Sequence, residues 1–236
     1  MMKIAGLAKQ SFVDYPGKIA ATVFTQGCNM DCVFCHNRSL VCKKQKIPLL
    51  DEADVFSFLQ SRRKFLDGVV ISGGEPTLHP DLADFIKKVK SMGYPVKLDT
   101  NGTKPQVLKK LIEENLLDYI AMDVKAPMKK YRNICHSDFN EEALLECISI
   151  IKKSEIDYEF RTTCCPQLSE SDIYEIAEMI HGAKKYVLQQ YRETDPLEGG
   201  YTGKAKSMQF MDMLIKEIRD CVKVFQLRGE FLIKAT

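Results

Sequence analysis

Long apolar runs are missing from this chain. No stretch approaches the roughly 20 residues that a helix needs to cross a bilayer, so a helical membrane span is not expected. An excess of either charge is missing too: 34 Lys and Arg stand against 32 Asp and Glu, a net charge of +2. That balance gives no bulk attraction to nucleic acid or to a membrane surface. The short basic clusters Lys43-Lys44, Arg62-Arg63-Lys64 and Lys129-Lys130 are read as solvated helix faces or loops. No Gly/Ser/Pro-rich linker or composition shift divides the 236 residues, and 45% hydrophobic content supports one sizeable core, so a single domain over 1–236 is expected. The first residues lack a charged-then-apolar secretory pattern, and the nine cysteines lack an even, regular framework. A cytoplasmic protein with reduced thiols is the expectation.

What is present begins with Thr25-Gln-Gly-Cys-Asn-Met-Asp-Cys-Val-Phe-Cys-His-Asn37, which holds Cys28, Cys32 and Cys35 just past the apolar run Ile19-Ala-Ala-Thr-Val-Phe24. Three thiolates this close suit one metal or cluster, and a 4Fe-4S cluster held by three cysteines keeps one iron open to a ligand from outside the protein. A structural zinc ion is the alternative. It wants a fourth Cys or His, and His36 is strained as a partner because it adjoins Cys35. Buried, unligated cysteines are the third reading.

Beyond this loop, short apolar runs alternate with helical patterns. Strands are expected at Gly68–Ser72, Val96–Asp99, Tyr119–Asp123, Tyr158–Thr163, Lys185–Gln189 and Val222–Phe225. Helices are expected from an Asp51 cap to about Phe65, then near 80–92, 104–117, 140–153, 169–182 and 205–220. Such alternation means βαβ units and a parallel sheet. About six units are too few for an eightfold barrel, so the expected fold is α/β, an open partial (β/α)6 barrel of the TIM type, with residues 1–18 preceding the first barrel strand and 19–236 forming the barrel. The cysteines, Ser72-Gly-Gly-Glu-Pro76, Asp99-Thr-Asn-Gly102 and Asp123-Val-Lys125 all follow strands, where barrels carry their active sites.

Gly73 and Gly74 leave backbone groups open to a close ligand, or simply make a turn. Asp99, Thr100 and Asn101 precede a helix and could cap it. Arg161 is costly to bury unpaired, so it should meet an acid or a substrate carboxylate. Cys42, Cys135, Cys147, Cys164, Cys165 and Cys221 show no clustered spacing. Cys147 and Cys221 sit in helical patterns and read as small core residues.

The Cys-x3-Cys-x2-Cys spacing with Phe34 before the last cysteine, and Ser72-Gly-Gly-Glu-Pro76, resemble the two signatures of the radical S-adenosylmethionine (SAM) enzymes. Gln26-Gly-Cys-Asn-Met-Asp-Cys32, Cys35-His-Asn-Arg38, Asp99-Thr-Asn-Gly102 and Asp123-Val-Lys125 resemble segments of the glycyl-radical-enzyme activases, as found in pyruvate formate-lyase activating enzyme. The opening Ser11-Phe-Val-Asp-Tyr-Pro-Gly-Lys18 and the closing Gln226-Leu-Arg-Gly229 look more like the activating proteins of anaerobic ribonucleoside-triphosphate reductase.

The resemblance implies a 4Fe-4S cluster on Cys28, Cys32 and Cys35, with SAM on the open iron. One electron, from reduced flavodoxin or ferredoxin, would cleave SAM to methionine and a 5′-deoxyadenosyl radical, which takes hydrogen from a glycine of a partner enzyme. It further implies Phe34 and His36 beside the cofactor, with Phe34 near the adenine. Gly73, Gly74 and Glu75 would lie at the amino group. Asp99, Thr100, Asp123 and Lys125 would surround the SAM carboxylate and a bound monovalent cation, and Asn101 and Arg161 are read as further cofactor-binding residues. Tyr191-Arg192 replaces a Tyr-His of the formate-lyase activase, so Gln190 or Arg192 would take over that contact. Two other classes stay open: a radical SAM enzyme acting on a small molecule, and a non-catalytic zinc or redox-sensing module. The segment 11–18 would hold a partner peptide at the barrel rim, or else form a hairpin that covers the barrel bottom.

Overall fold

The computed structural model describes residues 1–41, 47–192, 206, 210, 214–216 and 218–229. Eight strands form one sheet in the order of the chain. They are β1 (Ile4–Ser11), β2 (Ala20–Thr25), β3 (Gly68–Gly73), β4 (Val96–Thr100), β5 (Tyr119–Asp123), β6 (Asp157–Cys164), β7 (Ala183–Gln190) and β8 (Val222–Arg228). From β2 to β8 each strand pairs in parallel with the next, which gives the six expected crossovers. β1 runs antiparallel to β2, and the sheet is not closed, so the partial barrel stands.

The crossovers carry α1 (Arg38–Val41) and α2 (Glu52–Ser61), α3 (Leu82–Ser91), α4 (Pro105–Glu113), α5 (Met128–Cys135) and α6 (Glu141–Lys153), then α7 (Glu170–Met179). Asp51 caps α2 as expected, its side chain accepting from the Ala53 N–H, but the helix ends at Ser61 rather than at Phe65. α4 stops at Glu113, short of residue 117, where Asn115 takes a left-handed φ of 54°. The helix expected at 205–220 lies largely outside the described residues, as do Cys42 and Lys43-Lys44. Among the described residues no helix is long and apolar enough to cross a membrane.

Successive side chains on a strand point to opposite faces, and here that alternation separates two environments. The outer face carries Val69, Ile71, Leu98, Ile120, Met122 and Phe160, all buried in the core with helical residues such as Phe85, Ile86, Leu108, Leu144, Ile148 and Ile176. Each such side chain contributes about 1.5–3 kcal/mol on burial. The inner face carries Ser72, Lys97, Asp99, Asp123, Glu159 and Arg161, which the sheet's register brings side by side.

Two elements depart from expectation. β1 belongs to the sheet rather than merely preceding it. Because it runs antiparallel, the loop after it lies at the amino ends of the parallel strands, the bottom of the barrel. There Tyr15-Pro-Gly-Lys18 makes a turn closed by the Lys18 N–H on the Tyr15 carbonyl (3.1 Å), with Gly17 at φ 71°. Tyr15 is buried, clusters with Ala20 and Val70, and meets the Tyr119 ring at 5.9 Å. This segment therefore plugs the bottom and cannot hold a peptide at the mouth. Phe12 and Val13, 67% and 71% exposed, lie at that same end. The second addition, α5, inserts between β5 and α6 and backs the cysteine loop.

Candidate functional site

The cysteine loop leaves the end of β2 and is held by backbone hydrogen bonds from several directions. The Gln26 N–H donates to the Lys3 carbonyl (2.9 Å), Gly27 to Leu40 (3.0 Å), Asp31 to Cys135 (2.9 Å) and Val33 to Ile134 (3.0 Å). The last two clamp Cys32 against the end of α5. All three thiols are free. Burial pushes Cys28 up to about 11 and raises Cys35 above its ordinary value. Cys32 is pulled down, because the Cys135 thiol donates to it and Lys125 lies nearby; Cys135 is raised by the same contact. Spacing in the sequence gave no sign of Cys135, since a helix far along the chain brings it in.

The turn after β3 fixes the next group. Gly73 sits at φ 118°, and a Cβ there would stand 2.2 Å from the Thr25 nitrogen. At Gly74 a Cβ would stand 1.9 Å from the Gly27 carbonyl oxygen. The constraint on both glycines is thus the backbone under the cysteine loop. Glu75 is buried and its carboxylate is satisfied within the protein: Oε1 accepts from the Thr77 backbone (3.1 Å), the Thr77 hydroxyl and the Thr100 hydroxyl (2.8 Å), and Oε2 accepts from the Asn101 backbone (2.6 Å). Burial raises its carboxyl against the pull of these four donors. Asn101 reaches back to the loop, its Nδ2 donating to Asn29 Oδ1 (2.8 Å) and lying 3.9 Å from Cys28 Sγ. Neither Asp99, Thr100 nor Asn101 caps a helix; α4 starts later, at Pro105, with no side-chain cap.

Deeper in the cleft the charges alternate across β4, β5 and β6. Asp99 accepts from Ser72 (3.0 Å), Lys97 and Arg161 Nη1 (3.3 Å). Asp123 accepts from Arg161 Nε (2.8 Å) and Lys125 Nζ (3.1 Å). Lys125 also lies 5.8 Å over the Phe34 ring. Burial alone would raise both carboxyls. The neighbouring cations outweigh it, so Asp99 sits below its ordinary value and Asp123 is held down to about 2.

These residues line one cleft of about 240 Å³ at the carboxyl ends of the strands. It brings together Cys28, Cys32, Cys35, Phe34, His36, Gly73, Gly74, Glu75, Asp99, Thr100, Asn101, Asp123, Lys125 and Arg161. Gln190 and Arg192 are not among its lining residues. On β7 the inward position is Gln189, and a one-residue step turns Gln190 to the other face, beside Gly229. Arg192 is exposed, and its backbone hydrogen-bonds His36. Met30, Asn37, Val41, Ser72 and Thr163 also line the cleft; Met30, Asn37 and Ser72 fall inside the sequence motifs, whereas Val41 and Thr163 carry no motif signal.

The donor set fits an iron-sulfur cluster better than one zinc ion. Among the described residues the group of three or more Cys, His, Asp and Glu whose ligand atoms all lie within 4.8 Å of one another is Glu178, His181 and Cys221, away from the loop. One tetrahedral ion wants a fourth Cys or His closing on the same point, whereas in a cluster each of three cysteines binds a different iron and the fourth iron stays open. For SAM the cleft offers the Gly73–Gly74 backbone, the Phe34 ring and a charged inner wall. A monovalent cation does not fit, because the oxygens of Asp99 and Asp123 already accept from Arg161, Lys97, Lys125 and Ser72.

A family model described as Radical SAM superfamily matches residues 22–180. A Methanocaldococcus jannaschii protein, provisionally named a glycyl-radical enzyme activating enzyme, is 34% identical over 240 residues, 98% of each chain. The pyruvate formate-lyase-activating enzyme of Listeria monocytogenes is 36% identical over 126 residues, 48% of this chain and 49% of its own. Streptococcus suis SuiB bound to S-adenosylmethionine aligns with a TM-score of 0.64 at 16% identity, over 86% of this chain and 48% of that one, a likeness of fold.

Proposed function

This chain belongs to the radical SAM superfamily and is an enzyme of that kind, and on that premise we propose that it installs a glycyl radical on a partner enzyme, with anaerobic ribonucleoside-triphosphate reductase as the partner. The observation that supports this most is one cleft shared by the three loop cysteines, the Gly73–Gly74 turn and the charged inner wall. When bound, the cluster and SAM supply one-electron cleavage chemistry that ends in hydrogen abstraction from the partner's glycine. The chain's own part is to hold and orient. Cys28, Cys32 and Cys35 would ligate three irons. The Gly73 and Gly74 backbone would lie along the methionine part of SAM, with Glu75 fixing that turn to the end of β4. Lys125 and Phe34 would meet its charged and aromatic parts. Because Arg161, Lys97 and Lys125 lock the inner acids, the wall is ordered before a ligand arrives, which lowers the cost of binding.

The choice of reductase rests on the resemblance of the segments 11–18 and 226–229. Only the second of these lies at the mouth, where Gly229 packs on Gln190. A pyruvate formate-lyase is the second partner to try, given the Listeria relative. A cytoplasmic setting, a reduced flavodoxin or ferredoxin as donor, and one radical SAM domain over 1–236 belong to the same proposal. The test is anaerobic: protein reconstituted with iron and sulfide is reduced in the presence of SAM, and 5′-deoxyadenosine is measured by chromatography. The glycyl radical is read by electron paramagnetic resonance on each candidate partner. The reductase should acquire the signal. A signal on the formate-lyase alone would replace the partner, and SAM cleavage without a signal on either would overturn the activase reading.

A further inference from the structure

Two carboxylates facing each other in a partly dry cleft need positive charge between them, or repulsion and burial drive protons onto them. Asp99 and Asp123 are such a pair, at the ends of adjacent strands. Their side chains are only 15% and 31% exposed. An ion caged by oxygens could supply the charge. Here a side chain supplies it. Arg161 is the register partner of Asp123 on β6, so its guanidinium emerges level with both acids. Nε donates to Asp123 Oδ1 at 2.8 Å and Nη1 lies 3.3 Å from Asp99 Oδ2. The remaining oxygens are taken as well, Asp99 Oδ1 by Lys97 and Asp123 Oδ2 by Lys125. Three fixed cations meet these two acids, and the neighbouring buried Glu159 has its own partners in Lys185 and Arg228, so the charges are balanced without any added ion. An alkali ion between the acids would have to displace a planar, two-handed donor and then sit beside its charge.

We propose that Arg161 is the resident counter-cation of the Asp99–Asp123 pair, and that it replaces a bound potassium or sodium ion in this active site. A monovalent ion is therefore neither held there nor needed for the cleft to take its ligand. Removing the guanidinium should create the dependence that the native protein lacks.

The experiment compares potassium chloride, sodium chloride and tetramethylammonium chloride at equal ionic strength, on cluster-loaded protein, by SAM affinity and by thermal melting. The affinity arm rests on the function proposed above; the melting arm does not, so the two can fail separately. In the native protein both readouts should agree across the three salts, affinities within about twofold. In Arg161→Ala, affinity in tetramethylammonium should fall at least tenfold and the melting temperature should drop. Potassium or sodium should restore most of both, and low millimolar guanidinium should do the same. Arg161→Lys, which can meet only one acid well, should lie between. A native protein that loses tenfold in affinity, or melts lower, when potassium and sodium are withdrawn would overturn the proposal. So would an Arg161→Ala protein that folds and ignores all added cations. If that variant does not fold, Asp99→Asn gives the second comparison: with one acid neutralised, removal of Arg161 should be tolerated and salt-independent, and a double variant that still needs potassium would sink the idea.

Discussion

The two ends of the barrel interior are built on opposite principles. The bottom is closed mostly by apolar area: Tyr15, Tyr119, Val70 and Ala20 fill it, with polar links from the Thr22 hydroxyl donating to Asp14 (2.9 Å) and the Tyr119 hydroxyl donating to Glu159 (3.2 Å). The mouth is held by charge, through Lys97, Asp99, Arg161, Asp123 and Lys125, with Glu75 satisfied beside them. Close packing tolerates no ligand, so the bottom serves stability alone. A charged lattice can surrender some of its hydrogen bonds to an incoming ligand, so the mouth can bind. That division predicts which substitutions cost stability and which cost function.

The largest effect belongs to the mouth. Changing any one of Cys28, Cys32 or Cys35 to Ala should abolish the 4Fe-4S cluster, seen as loss of iron and of brown absorbance after reconstitution, while the bottom stays folded by circular dichroism. Tight zinc binding without iron would end the cluster reading. Next comes Gly74→Val, which drives a branched side chain into the Gly27 carbonyl; it should cost about 3 kcal/mol or more in urea unfolding and weaken SAM binding through the displaced loop. A folded variant of native stability would show that the turn yields more easily than its packing implies.

Tyr15→Ala, at the bottom, should cost about 3 kcal/mol while leaving SAM cleavage per cluster unchanged. A large loss of turnover in the folded variant would break the separation of the two ends. Acid titration of the iron-free protein probes the mouth more gently. With Asp123 held near 2 in the folded state against an ordinary 3.8, its contribution is complete above about pH 4 and is lost as pH falls toward 2. In Arg161→Ala the folded-state value moves up toward the ordinary 3.8, so this acid-linked contribution should shrink and the stability curve flatten between about pH 4 and 2. The smallest effect is Phe12→Ala, on an exposed ring, which should change stability by no more than about 0.5 kcal/mol and leave radical transfer intact. Loss of transfer with SAM cleavage unchanged would restore a recognition role to this loop.

The sequence makes the mouth more legible than the bottom. Continuous apolar runs such as Gly68-Val-Val-Ile-Ser72 announce buried strands, and the residues after them fall where barrel sites form. β1 escapes notice because Ile4-Ala-Gly-Leu-Ala-Lys-Gln-Ser11 mixes small and polar residues at an edge, where only one neighbour demands a pattern. α5 escapes because it spans only eight residues and its apolar face is short. The cost of a side chain on Gly74, the clasp of Arg161 on two acids and the contact of Cys135 with Cys32 arise between distant segments, so no local pattern encodes them. At β7 the strand was legible but its phase was not, and one residue separates Gln189 in the cleft from Gln190 outside it.

The clamp of the cysteine loop on α5 bears on how the molecule comes into being. Strand order follows chain order, so each strand pairs with a neighbour already made, and the sheet can grow from its first hairpin as the polypeptide emerges. The loop is different. Its Asp31 and Val33 amides wait for the carbonyls of Cys135 and Ile134, so the thiols acquire their fixed spacing only after five strands stand. A nascent chain stalled before residue 135 keeps the loop's ties to Lys3 and Leu40 but lacks this second clamp, so its Cys32 should be more open to a scavenging ion than in the finished fold.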